Sequence, residues 1–175
     1  MKSSSIGKGR GKTYFMLIAA VPLLGMLLIG CGNLLINYDG ARIRDGYQIP
    51  IAQGEKTTGQ YSSLDLTVDY QYERKGDSFQ IAGKVRLADY LTRDSSLRYF
   101  SISILLADAD NNIIDSRPLT SAGYGGPIVF NKTLQLPPEA KNMVFAFTYT
   151  GQTMGGGDGG GPWDFWEYPI IRQKK

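Results

Sequence analysis

At 175 residues, 42% hydrophobic and 20% charged, the chain has the composition of one globular domain behind an N-terminal appendage, not of a disordered chain. One cysteine and no histidine exclude an internal disulfide, Ser-His-Asp or Cys-His catalysis and histidine-based zinc ligation, but not carboxylate, lysine or tyrosine chemistry. The net charge of +3 is placed unevenly: residues 1–30 hold Lys2, Lys8, Arg10 and Lys12 and no acid, and the other 15 basic residues face 16 acids, so the pI near 8.9 describes the leader and implies no nucleic-acid partner.

Residues 1–13 are polar and basic, residues 14–30 carry no charge, and Cys31 is followed by the polar Gly32 and Asn33. This is the order of a secretory signal: a positive segment held on the cytoplasmic side, an apolar helical segment that enters the bilayer, and a small-residue exit. Its end, Leu28-Ile29-Gly30-Cys31, resembles the lipobox of bacterial lipoproteins. The resemblance covers only the leader. It implies export, cleavage before Cys31, and a diacylglycerol and N-acyl lipid on Cys31, with no other cofactor. The anchored protein then belongs to the cell envelope. In a double-membraned cell, Gly32 in place of the retaining Asp favours the outer membrane, facing the periplasm, over the inner one. Two other readings stand beside it. The 17 apolar residues could be an uncleaved membrane anchor, although Pro22, Gly25 and Gly30 interrupt them, or Cys31 could be an ordinary buried thiol.

Residues 31–60 mix polar residues and glycine with short apolar clusters and keep no period, so they are expected to be the lipidated end and a tether, with a short strand near Tyr47–Ile51. Residues 61–175 are expected to form the domain. From Leu64 to Glu73 apolar and polar residues alternate without a break, which predicts a half-buried antiparallel strand with Leu64, Leu66, Val68, Tyr70 and Tyr72 on the core face. Lys75-Gly76-Asp77 is a turn, and Phe79, Ile81, Gly83, Val85 and Leu87 complete a hairpin. Residues 88–97 break the pattern with room for a helical turn. Further strands are predicted at Phe100–Leu106, Ile113–Leu119, Ile128–Leu136, Asn142–Thr150 and Phe165–Arg172. About seven strands with turn signals between them predict an all-β fold, an antiparallel β-sandwich. The stretch Leu136-Pro137-Pro138-Glu139-Ala140-Lys141 leading into a strand resembles the sheet crossing of immunoglobulin-like modules, over about a third of the domain and without their signature cysteines.

Three segments are candidate sites. Asp108-x-Asp110-x-Asn112 places oxygen donors at alternate positions, as a calcium loop does, but Ile113 and Leu119 stand where a helix–loop–helix site needs Gly and Glu, so a hairpin turn is the preferred reading. The Gly-rich run at 155–161 lacks the Gly-Lys-Ser/Thr ending of a phosphate loop and is expected to be a flexible loop. Pro162-Trp163-Asp164-Phe165-Trp166-Glu167-Tyr168-Pro169 concentrates aromatics and acids; Trp163, Trp166 and Tyr168 either close the core of a last strand, the preferred reading, or form a surface for sugar or peptide ligands. No catalytic constellation stands out. The expected function is a non-enzymatic binding or structural module held on a membrane by its lipid, its partner an envelope protein; the alternative is a carbohydrate- or peptidoglycan-interacting protein, hydrolytic or not, that uses the C-terminal aromatic segment on a glycan partner.

Overall fold

A computed structural model of the chain describes residues 38, 40–93, 96–123, 125–137, 142–155 and 162–172. Residues 1–37, with the expected signal segment and Cys31, most of the Gly-rich run and residues 138–141 lie outside the described residues. The fold is all-β. Among the described residues there are eleven strands: β1 (Ala41–Ile43), β2 (Ile49–Pro50), β3 (Thr57–Ser62), β4 (Leu66–Lys75), β5 (Ser78–Leu87), β6 (Ser96–Ala107), β7 (Ile113–Ala122), β8 (Ile128–Gln135), β9 (Val144–Met154), β10 (Trp163–Glu167) and β11 (Ile170–Arg172). One helical turn, α1 (Asp89–Thr92), separates β5 from β6.

Every strand pairing is antiparallel. One sheet has the order β3-β4-β5-β8; the other has the order β10-β9-β6-β7, with β2 also paired to β9. The apolar faces of the two sheets meet in one core, where Phe79 and Tyr72 of the first sheet pack on Phe145, and Phe130 on Phe147. The alternation of Asn142–Thr150 sorts as the sequence predicts: Phe145, Phe147 and Tyr149 point into this core, opposite Leu106, Ile104 and Ile102 of β6.

The turns follow local chemistry. β4 and β5 are joined through Gly76 and Asp77; Gly76 has φ +60° and Asp77 does not leave the negative-φ region, the pattern of a II′ hairpin turn. Pro118, which cannot donate to a ladder, sits on the edge strand β7 beside a register shift. Gly151 is opposite Phe165, whose ring lies flat over it, so that a Cβ there would overlap the ring.

The sequence expectations need three corrections. Residues 41–60 are not a tether: β1, β2 and the first part of β3 belong to the folded unit that begins at Tyr38. The two- and three-residue strands are too short to show a period, and β3 is polar enough on both faces to hide one. Ala41 and Ile43 of β1, paired with β11, cover Leu105, Ala107 and Ala146 on the far side of β6 and β9, so that the centre of this sheet is buried on both faces. The alternation at 64–73 also runs too far. The strand starts at Leu66, and the turn before it throws Leu64 outward, 85% exposed, and turns Asp65 inward, 8% exposed. Finally, Phe165–Arg172 is two strands, because Tyr168-Pro169 breaks the ladder and sends β11 to β1 instead of β9.

Candidate functional site

The aromatic C-terminal segment forms β10, an edge of the five-stranded sheet. Only Phe165 enters the core, stacked on Phe100 and beside Tyr149. Trp163, Trp166 and Tyr168 are 63%, 59% and 50% exposed, so the preferred expectation that these aromatics close the core is corrected. The physical reason is position. An edge strand of five residues offers the core one central place, and the flanking residues face outward or pass the end of the opposite sheet.

Register places Trp166 on a polar face. Trp166 is opposite Thr150 of β9, which is opposite Ser101 of β6; in the next row Asp164 is opposite Gln152, which is opposite Tyr99. These residues alternate with Phe165, Gly151, Tyr149 and Phe100, all buried, and therefore point away from the core. Tyr99 is 43% exposed. A track of hydrogen bonds crosses the three strands: Arg98 Nη1 donates to Gln152 Oε1 at 2.8 Å, and Gln152 Nε2 donates to Asp164 Oδ1 at 2.6 Å. Arg98 reaches it because the pairing of β6 with β9 shifts between Leu97 and Tyr99, a bulge that sets an extra side chain on the ladder. The two aromatics thus flank a fixed strip of amide, carboxylate, guanidinium and hydroxyl groups.

A second site is a cleft of about 520 Å³ between the β1–β2 connection, β3 and β10, lined by Tyr47, Gln48, Gln60, Tyr61, Tyr70 and Glu167. The Tyr61 hydroxyl is buried without a hydrogen-bond partner, alone in this among the described residues. An unsatisfied buried hydroxyl costs about 1–3 kcal/mol. Burial, with Glu167, Tyr47 and Asp65 nearby, pushes its pKa well above the ordinary tyrosine value. Beside the cleft a hydrogen-bond network gathers around the buried Asp65, which the sequence alternation places on the solvent face. Asp65 accepts a close hydrogen bond from the Tyr90 hydroxyl and one from Tyr149 Oη at 2.8 Å. Tyr149 Oη also lies 2.8 Å from Ser63 Oγ, and because its proton is committed to Asp65, Ser63 is the donor. Burial and the Asp65 contact push Tyr90 up to about 12, and burial holds Tyr149 higher still. The network joins the turn before β4 to β9 and to α1. A larger opening of about 610 Å³, between Val85, Leu87, Leu97 and Ile128, offers few polar side chains and no chemistry beyond apolar contact.

Asp108, Asp110 and Asn112 form the β6–β7 turn. The Asp108 carboxylate accepts hydrogen bonds from the backbone N–H groups of Asp110 and Asn112, both at 2.9 Å, and from Asn112 Nδ2 at 3.0 Å. Asn111 takes the left-handed conformation, φ +66°. Burial opposes ionisation of Asp108, but these hydrogen bonds and the nearby Arg42 outweigh it and hold the carboxyl below its ordinary value. Arg42 donates to the Asp110 carbonyl at 2.6 and 3.0 Å. The donors that could have served a cation close the turn instead, with a guanidinium beside them.

Tyr99, Thr150, Gln152, Tyr61 and Asp65 escaped sequence reasoning. The alternation of β6 and β9 was a usable signal for the first three, because it sets them outside the core, but only the register brings them beside Trp166. No protein-family model, curated protein or solved structure matches this chain.

Proposed function

We propose that this chain is a lipoprotein of the bacterial cell envelope, anchored through lipid on Cys31, whose β-sandwich is a non-enzymatic binding module. The anchor rests on the leader alone: four basic residues, 17 uncharged residues and Leu28-Ile29-Gly30-Cys31. The binding role is carried by one observation, the outward placement of Trp163, Trp166 and Tyr168 on a folded sheet edge. Large aromatics left outside a well-filled core are typical anchors for a partner.

Two measurements test the reading. Mass spectrometry of the membrane-extracted protein should find an N-terminal fragment beginning at an acylated Cys31; an intact Met1 or an unmodified thiol would overturn the anchor. A photo-crosslinking residue in place of Ser121, the exposed β7 residue opposite Ser101 in the row that holds Trp166 and Thr150, should give a discrete or laddered adduct in living cells. Absence of any adduct, with the protein folded and exported, would overturn the binding role.

A further inference from the structure

The outer face of the five-stranded sheet is covered at Leu105, Ala107 and Ala146 but open at the end that carries Trp166 and Tyr99, and that end has the chemistry of a glycan platform. We propose that it binds a linear, uncharged β-linked glycan chain, laid across β10, β9 and β6 between Trp166 and Tyr99. The proposal rests on the binding-module reading and names the ligand class of that site.

Three features select this ligand. The first is the pairing of aromatic faces with hydrogen-bonding groups. A pyranose ring has an apolar C–H face and an equatorial belt of hydroxyls, so it stacks on an indole or phenol while bonding side chains beside the ring. Trp166 and Tyr99 supply the faces; Thr150, Ser101, Gln152 and Asp164 supply the belt. The second is span. Trp166 and Tyr99 are separated by two strand spacings, about 10 Å, and by two residues along the strands, about 7 Å. That distance exceeds one sugar ring and suits an extended chain that occupies both aromatics, which a β-linked ribbon provides and a coiled α-linked chain does not. The third is charge. Arg98 and Asp164 are the ionised groups of the strip, one of each sign and both hydrogen-bonded to Gln152, so the strip carries no net charge that would select an anionic or cationic ligand. The hydrogen-bond track also fixes its groups before the ligand arrives, which lowers the ordering cost of binding.

The chain has two tryptophans, so a Trp163→Phe variant leaves Trp166 as the single indole reporter. The full-length protein in detergent is titrated with hexasaccharides of β-1,4-linked N-acetylglucosamine and of β-1,4-linked glucose, and with the two monosaccharides. At least one hexasaccharide should shift Trp166 emission saturably, and both monosaccharides should bind at least tenfold more weakly. Tyr99→Ala should weaken hexasaccharide binding about tenfold or more, and Gln152→Leu several-fold, with melting temperatures near that of the parent. Because Trp166→Ala removes the reporter, its binding is read by calorimetry, where it should also fall tenfold or more. No emission shift with either hexasaccharide, or binding that survives Trp166→Ala and Tyr99→Ala, overturns the proposal. The crosslink from position 121, which leaves both aromatics in place, separates this failure from that of the parent reading. An adduct shortened by a chitinase or a cellulase supports a neutral β-linked glycan on this face, whereas a protein adduct resistant to both overturns the glycan and leaves the binding module standing.

Discussion

Phe165 and Trp166 are neighbours in one strand, and the fold assigns them opposite roles, so truncating each to alanine should separate core from surface. Phe165 is 3% exposed and its ring packs on Phe100, Tyr149 and the bare backbone of Gly151. Burial of a Phe side chain removes about 150–250 Å² from water, worth about 4–6 kcal/mol at ~25 cal/mol per Å² as an upper bound. Measured costs for buried Phe→Ala changes are about 3–5 kcal/mol. For a folded unit of this size, that lowers the melting temperature by roughly 8–16 °C. Trp166 is 59% exposed, so Trp166→Ala should cost about 1 kcal/mol or less, a shift of roughly 2–4 °C. Gly151→Ala should also destabilise, by about 1–3 kcal/mol, because the added methyl meets the Phe165 ring. In Gly151→Ala/Phe165→Ala the two losses should sum to less than their separate values, because the second change removes what the first collides with. Thermal melts followed by circular dichroism read all four variants. A Trp166→Ala loss as large as that of Phe165→Ala would refute the assignment of the tryptophan to the surface, and with it the binding face.

The buried carboxylate network predicts a pH response. Well below pH 10 Tyr149 and Tyr90 are neutral in both folded and unfolded chains, so their contribution to stability is constant there; as pH rises through 10 the unfolded phenols ionise first, and stability should fall from there through the folded Tyr90 value of about 12. Urea midpoints measured from pH 8 to 12 check this, and Tyr149→Phe should reduce the slope. Asp65→Asn should cost about 1–3 kcal/mol at neutral pH, because its amide sets a second donor against one of the two phenols. Tyr61→Phe removes the unpartnered buried hydroxyl and should be neutral or stabilising by up to about 1 kcal/mol; a clear loss of stability would show that the hydroxyl has a partner in solution. Asp108→Ala should cost about 1–2 kcal/mol by removing the acceptor of three hydrogen bonds that close the β6–β7 turn, and millimolar calcium should leave the melting temperature of the parent unchanged. A calcium-dependent rise in melting temperature, lost in Asp108→Ala, would revive the cation reading.

Much of the sandwich could be read residue by residue. Wherever one face of a strand is buried over eight or more residues, as in β4 and β5, burial imposes a period of two on the residues, and the period is visible without coordinates. Turn chemistry was equally legible at Gly76 and at Asp108–Asn112, because those residues satisfy their own backbone locally. Short strands were legible only in part: β2 falls within Tyr47–Ile51, where a short strand is expected, but β1 gave no signal. β1 is three residues long, and its role depends on Leu105, Ala107 and Ala146, which are far away in sequence.

For function, the sequence by itself determined the basic-then-apolar pattern of residues 1–31 on which the proposed anchor rests, the absence of histidine and second-cysteine chemistry, and the concentration of aromatics at 162–169. It could not decide which of those aromatics are buried, because that depends on the edge position of β10 and on the width of the opposing sheet. It also could not pair Trp166 with Thr150, Ser101, Gln152 and Tyr99, residues brought together only by strand register. Register is a tertiary property, set where the buried faces of the two sheets meet, and a shift of one residue would turn Trp166 into the core and Phe165 out to solvent.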